Sequence, residues 1–310
     1  MTRPQTTCTV AAIIVSATLT ITAQKFRSGT IGVRVDVLVT RGQELVRGLD
    51  AGDFELRDEG VPQTVSQIEV EQIPLNLILA FDTSGSVAGE RMHSLVQAGD
   101  ALLEQLRPED RVALLSFATR VRLLAPLTPS RQQIHGAFTT LAAKGATSLR
   151  DAAFAALALR ESDPGRTLVL IFSDGADTAS WLHASAVIEA AKRTDAVVYA
   201  VAITEQRYVY TMTSRPGAGR SAITQSRVIP VEEAGKFLDH LTEETGGRVL
   251  FANSNKDLRA TLTQTLSEFR DRYVLSYTPT GVSPTGWHRL DVKLKAKSGS
   301  VTARRGYFAE

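Results

Sequence analysis

One aspartate and two serines at alternate positions, Asp82-Thr83-Ser84-Gly85-Ser86, close an apolar run over residues 75–81. A carboxylate and two hydroxyls so spaced are three hard oxygen donors. The same short pattern also makes an Asx-type turn or a helix N-cap, and Ser86 suits a cap on the helix that follows. Two further groups share the setting. Asp174 follows a second apolar run, residues 168–172, in Ser173-Asp174-Gly175. Thr147 lies in the loop Lys144-Gly145-Ala146-Thr147-Ser148, ahead of an alanine-rich helix. Alone, Thr147 reads as a helix cap; with the others it completes a set of two carboxylates and three hydroxyls. Soft metals prefer thiolate or imidazole, so an all-oxygen set suits Mg²⁺, with Mn²⁺ or Ca²⁺ as the other candidates. Two carboxylates balance a divalent charge. If they bind through water, the ion stays electrophilic and keeps one position for an acidic group from outside.

Other chemistries lack their residues. Ser84 stands in Thr83-Ser84-Gly85-Ser86 rather than G-x-S-x-G, with no histidine nearby to activate it. His93, His135, His183, His240 and His288 are scattered without ligand spacing and read as surface or packing residues. Neither G-x-x-x-x-G-K-[ST] nor G-x-G-x-x-G is present, so nucleotide binding has no support. Asp151 and Asp177 could accept hydrogen bonds that support these donors from behind, but surface or capping roles are the simpler reading.

These residues need a frame that brings three loops together. Residues 75–81, 112–117, 168–172 and 196–203 are apolar runs of strand length, and the first, third and fourth are apolar enough to be covered on both faces. Helical spacing marks residues 88–106, 130–141, 151–159 and 184–193 between and after them. Residues 121–125 suit a short edge strand. Further on come a helix around 234–241 ended by Gly246-Gly247, a strand at 248–251 and a last helix over 258–269. This alternation predicts an α/β fold with a doubly wound, mostly parallel sheet, in which residues following the strands share one edge. Residues 204–230 are polar and without period; they read as a long surface loop carrying Arg207, Arg215, Arg220 and Arg227.

The flanks are β. Val33, Val35, Val37 and Val39 alternate with other residues, Asp58-Glu59-Gly60 marks a turn, and Val65, Ile68 and Val70 suggest another strand. After the α/β part, residues 273–277 form a strand, and Leu290, Val292, Leu294 and Ala296 alternate with Asp291, Lys293, Lys295 and Lys297. The lysine row reads as a solvated face. A final strand follows Ser298-Gly299-Ser300 and ends near Tyr307. Each flank is small for an independent domain. The expectation is one small β-sandwich built from 24–72 and 272–310, with the α/β domain, 73–271, inserted between its halves.

Asp82-x-Ser84-x-Ser86, Thr147 and Asp174 together resemble the metal-ion-dependent adhesion site of the von Willebrand factor A domain, at all five positions and in the same order of strand, loop and helix. The resemblance implies coordination by Ser84, Ser86 and often Thr147, with Asp82 and Asp174 direct or water-mediated. It also implies a protein partner whose Asp or Glu carboxylate completes the octahedron. The flanking segments Val35-Asp36-Val37-Leu38-Val39-Thr40, Leu49-x-x-x-Asp53-Phe54-Glu55 and Arg304-Arg305-Gly306-Tyr307-Phe308 resemble bacterial secreted VWFA-related proteins.

With 310 residues, 43% hydrophobic and 22% charged, the chain has an ordinary globular composition. Its net charge of +2 gives no overall field toward nucleic acid or membrane. Residues 1–23 read as a signal peptide: Arg3 begins it, residues 10–23 are largely apolar, and Ala23 is a cleavage point. Cys8, the single cysteine, falls within it. The expectation is a secreted or periplasmic protein, bound to a membrane only if the leader stays uncleaved. The leading function is non-enzymatic binding of a protein ligand through the metal. The alternatives are an assembly component of an envelope complex with a structural metal, and a metal-dependent hydrolase, for which no general base is apparent.

Overall fold

The computed structural model describes residues 32–42, 44–70, 73–161, 163, 165–203, 231–252, 254–296 and 298–309. The leader, residues 1–23, and the loop at 204–230 lie outside the described residues. In chain order the strands are β1 (Val33–Arg41), β2 (Glu44–Leu45), β3 (Phe54–Asp58), β4 (Val61–Gln63), β5 (Val65–Glu69), β6 (Leu75–Asp82), β7 (Arg111–Phe117), β8 (Val121–Thr128), β9 (Arg166–Phe172), β10 (Val197–Ile203), β11 (Val249–Ala252), β12 (Tyr273–Tyr277), β13 (Gly286–Leu294), β14 (Ser300–Ala303) and β15 (Gly306–Ala309). The helices are α1 (Glu90–Glu104), α2 (Arg131–Phe138), α3 (Leu149–Ala158), α4 (Ala184–Lys192), α5 (Val231–Thr245) and α6 (Asn255–Arg270).

The central sheet runs β11-β10-β9-β6-β7-β8. All its pairings are parallel except β7 with the edge strand β8. The sequence of β6 explains its central place. Every residue from Leu75 to Asp82 is buried, so the strand is sheathed on both faces, as continuous apolarity requires. Alternation then sorts its side chains. Leu77, Leu79 and Phe81 join the core under α1, α2 and α6, whereas Ile78 and Ala80 join the core under α3, α4 and α5. Two layers of helices over one mostly parallel sheet put the ends of β6 and β9 on the same edge.

The flanks form two antiparallel sheets, β14-β1-β12-β5 with β2 beside β1, and β15-β13-β3-β4. Strands from before and after the α/β part interleave in both. Val35 and Val37 of β1, Leu56 of β3, Leu275 of β12 and Leu290 of β13 share one core. The last stretch departs from the single final strand expected of it. The segment after Ser300 is two strands, not one, because it changes sheets at Arg304-Arg305: β14 pairs with β1, and β15 with β13. The exposed lysines Lys293 and Lys295 lie on a solvated face.

The flanking sheets meet the α/β part at the edge where its strands begin. Arg166, the first residue of β9, donates from Nε to Asp36 Oδ1 of β1 at 2.8 Å and from Nη2 to the Phe269 carbonyl at 2.9 Å. Arg272 is fully buried and donates to Tyr199 Oη at 2.8 Å, to the carbonyls of Asp36 and Thr302 at 3.3 Å, and to the Gly246 carbonyl. No helix among the described residues is long and apolar enough to cross a membrane.

Candidate metal centre

Asp82 ends β6 with its side chain fully buried. Its Oδ1 accepts from the Ser84 N–H at 2.8 Å, and its Oδ2 accepts from the Ser173 hydroxyl at 2.9 Å. That second bond ties the loop after β6 to the loop after β9. In the latter, Ser173 Oγ also accepts from the Gly175 N–H at 3.1 Å, and half-buried Asp174 accepts from the Ala176 N–H at 3.1 Å. Ser84 is buried, and its Oγ lies 3.0 Å from Oγ of exposed Ser86. Ser86 is not the cap of α1. A short 3-10 turn over Gly85–Val87 intervenes, and Gly89 takes the N-cap position. The Ser86 hydroxyl is therefore paired with that of Ser84.

Thr147 is buried in a third loop that the other two hold in place. The Gly85 N–H donates to the Gly145 carbonyl at 3.0 Å, and the Lys144 N–H donates to the Thr83 carbonyl at 2.8 Å. From the other side, the Thr147 carbonyl accepts from the N–H groups of Thr178 and Ala179 at 2.8 and 2.9 Å, and its own N–H donates to Thr178 Oγ1 at 2.9 Å. Ser148, not Thr147, occupies the N-cap position of α3. The structure thus brings all five sequence-identified residues to one edge of the sheet, on three loops joined by hydrogen bonds.

Burial pushes the Asp82 carboxyl up to about 6; hydrogen bonds from Ser84 and Ser173 pull it down, and the neighbouring Asp174 charge raises it. The other well-buried carboxylates show what is unusual here. Asp58 is paired with His288, Asp110 with Arg270, and Glu268 with Arg248. Glu244 faces His240 and Arg305. Among the described residues Asp82 has no cationic side chain as hydrogen-bond or ion-pair partner. A buried carboxylate without a cation, beside two paired hydroxyls and near a second carboxylate, fits a hard divalent ion. Among the described residues no three His, Cys, Asp and Glu side chains gather as a metal site; the other side-chain oxygens at this edge are hydroxyls.

Asp177 and Asp151 serve the loops. Burial alone would raise the Asp177 carboxyl, but hydrogen bonds from Arg150 and Ser180 more than offset it and hold the group below its ordinary value. Asp151 accepts from the N–H groups of Trp181 and Leu182. Asp177 caps the first turn of α3 through the Arg150 N–H, as expected, whereas Asp151 holds loop amides ahead of α4 rather than capping a helix. They also fix a feature the sequence pattern does not reveal: Trp181, anchored through its backbone, is 92% exposed. A second such feature is a cleft of about 520 Å³ next to the centre, whose lining includes Thr83, Arg120, Arg122, Leu124, Leu141 and Lys144. A tryptophan in a polar loop is the one local signal for the first. The second has none, because Arg120 and Lys144 come together only in the fold.

Comparison with known proteins agrees with this architecture. Residues 77–176 match the family model of the von Willebrand factor type A domain. The inter-alpha-trypsin inhibitor heavy chain H4 of Bos taurus is 26% identical over 145 residues, covering 43% of this chain and 16% of the relative. Heavy chain H2 of Sus scrofa is 27% identical over 150 residues, 44% of this chain and again 16% of the relative. The chain therefore spans about a sixth of the length of these curated relatives. A solved von Willebrand factor type A structure from Catenulispora acidiphila is similar over 87% of this chain and 75% of its own, with a TM-score of 0.51 and 12% identity, a likeness of fold.

Proposed function

The chain carries a von Willebrand factor type A domain, and from that premise we propose that it is a non-enzymatic binding module of the cell envelope or exterior that engages a protein ligand through a divalent metal. Asp82, Ser84, Ser86, Thr147 and Asp174 would hold the ion, with Mg²⁺ favoured and Mn²⁺ or Ca²⁺ as the other hard candidates. The bound ion supplies an electrophilic site that a carboxylate of the partner completes. One observation carries the reading: Asp82 is a fully buried carboxylate whose hydrogen bonds come from Ser84 and Ser173, with no protein cation among the described residues to balance it. The exposed Trp181 on the same edge gives a protein partner an aromatic anchor.

Isothermal titration with MgCl₂ tests the proposal. The expected result is a single site in the full chain and no measurable site in Asp82→Ala or Asp174→Ala, because one carboxylate no longer balances a divalent ion. Equal Mg²⁺ affinity in the parent and both variants would overturn it.

A further inference from the structure

We propose that the cleft beside the candidate metal centre is a second subsite for the same partner, and that it takes an acidic peptide segment carrying an apolar side chain. The inference rests on the metal-edge reading and extends it by naming the partner's chemistry.

The cleft adjoins the centre through residues next to its candidate ligands. Thr83, between Asp82 and Ser84, forms part of its wall, and Lys144-Gly145, which leads to Thr147, forms another. Its volume of about 520 Å³ is in the range of pockets that enclose small ligands, so it admits side chains of a peptide rather than a folded surface. Its charge is one-sided. Arg120, Arg122 and Lys144 are exposed, and no acidic residue lines the cleft. Among the described residues these three make no ion pair, whereas Arg111, Arg150, Arg160, Arg166, Arg248 and Arg270 each face a carboxylate. Three like charges around one concavity repel one another and attract an anion. Leu124 and Leu141 give the wall an apolar part. A polyanionic sugar would leave that part without a partner; a peptide with an apolar residue beside its acids covers it. One carboxylate of the segment goes to the metal edge and the next to the three cations.

Fluorescence anisotropy on the full chain tests this with two probes, a labelled peptide in which leucine lies between glutamates and a sulfated heparin oligosaccharide, each in Mg²⁺ and in EDTA. The variants are Arg120→Glu/Arg122→Glu and Lys144→Glu, exposed positions whose side chains hold no fold contact described above. The peptide Kd is expected to rise roughly ten-fold or more in the double variant, since each reversed charge replaces attraction by repulsion. Its salt dependence should flatten, while calorimetric Mg²⁺ affinity stays unchanged. No peptide binding by the parent, or equal peptide affinity in the double variant, would overturn the cleft proposal. So would binding of the oligosaccharide alone. If the peptide loses affinity in the double variant yet binds the parent equally in EDTA, the cleft stands and the metal-bridged reading fails.

Discussion

Asp82 carries an energetic liability that its neighbour Asp177 does not. Both are aspartates on the same sheet edge, but Asp177 faces Arg150 and Asp82 faces hydroxyls and amides. The Asp82 carboxyl is raised from 3.8 to about 6. Ionising it in the metal-free fold therefore costs about 3 kcal/mol at most, since each tenfold gain in proton affinity is worth about 1.4 kcal/mol. The sign follows from proton linkage. Between about pH 4 and 6 the native state holds a proton that the unfolded chain releases, so this group's contribution to stability falls as pH rises through that window and stays low above it. Asp82→Asn keeps an oxygen for the Ser84 N–H and offers an amide to Ser173 Oγ. In EDTA at pH 7 it is therefore expected to melt at a higher temperature than the parent, with the gap closing toward pH 4 in scanning calorimetry. The same substitution should weaken Mg²⁺ binding. A lower midpoint for the variant at pH 7 would show that the charge is already balanced.

At the scale of elements, the centre depends on three loops keeping their mutual register, and Gly145 is where that register is tightest. Its φ of +85° lies in the left-handed region, and a Cβ there would sit 2.5 Å from Thr119 Oγ1. Gly145→Ala is expected to cost about 1–2 kcal/mol for the backbone alone, read by urea unfolding, and to lower Mg²⁺ affinity in calorimetry because Gly145 accepts from the Gly85 N–H. The elements themselves are legible in the sequence to the extent that burial dictates pattern. β6 and β9 are buried along their whole lengths, and such strands read as continuous apolar runs. Ser130 is legible as the α2 cap because its hydroxyl does accept from the Gln133 N–H. What the pattern hides is tertiary. Ser86 has the look of a cap because nothing local announces that Gly89 starts α1. The break between β14 and β15 is a change of partner strand, and the Arg304-Arg305-Gly306 step between two short β-forming pieces does not announce which strand each piece pairs with. Arg120, Arg122 and Lys144 look like solvated charges until the fold sets them around one cleft.

The described part of the chain, within Gly32–Glu310, is polarised. Asp82 and Asp174 lie where the parallel strands end, while Asp36, Arg166 and Arg272 join the α/β part to the flanking sheets where those strands begin. Arg272 is the deepest of these links, contacting β10 through Tyr199, the α5 end through Gly246, β1 through Asp36 and β14 through Thr302. Arg272→Leu would leave those acceptors dry, at about 3 kcal/mol or more in total. The expected calorimetric result is a lower midpoint and a transition that splits in two, where the parent shows one. A single unshifted transition would mean that the two parts are joined by packing alone. The interleaving of the flanks has a consequence for how the chain reaches this state. β1 pairs with β12, which lies beyond the entire inserted part, so its hydrogen bonds close one of the longest loops in the chain. Such contacts give no return until the chain between them has condensed. Topology therefore predicts that the α/β part forms first and carries its two ends together, and that β1, among the first of the described residues to be synthesised, is among the last to find its place; pulse-labelled hydrogen exchange during refolding is expected to protect the amides of β6 before those of β1.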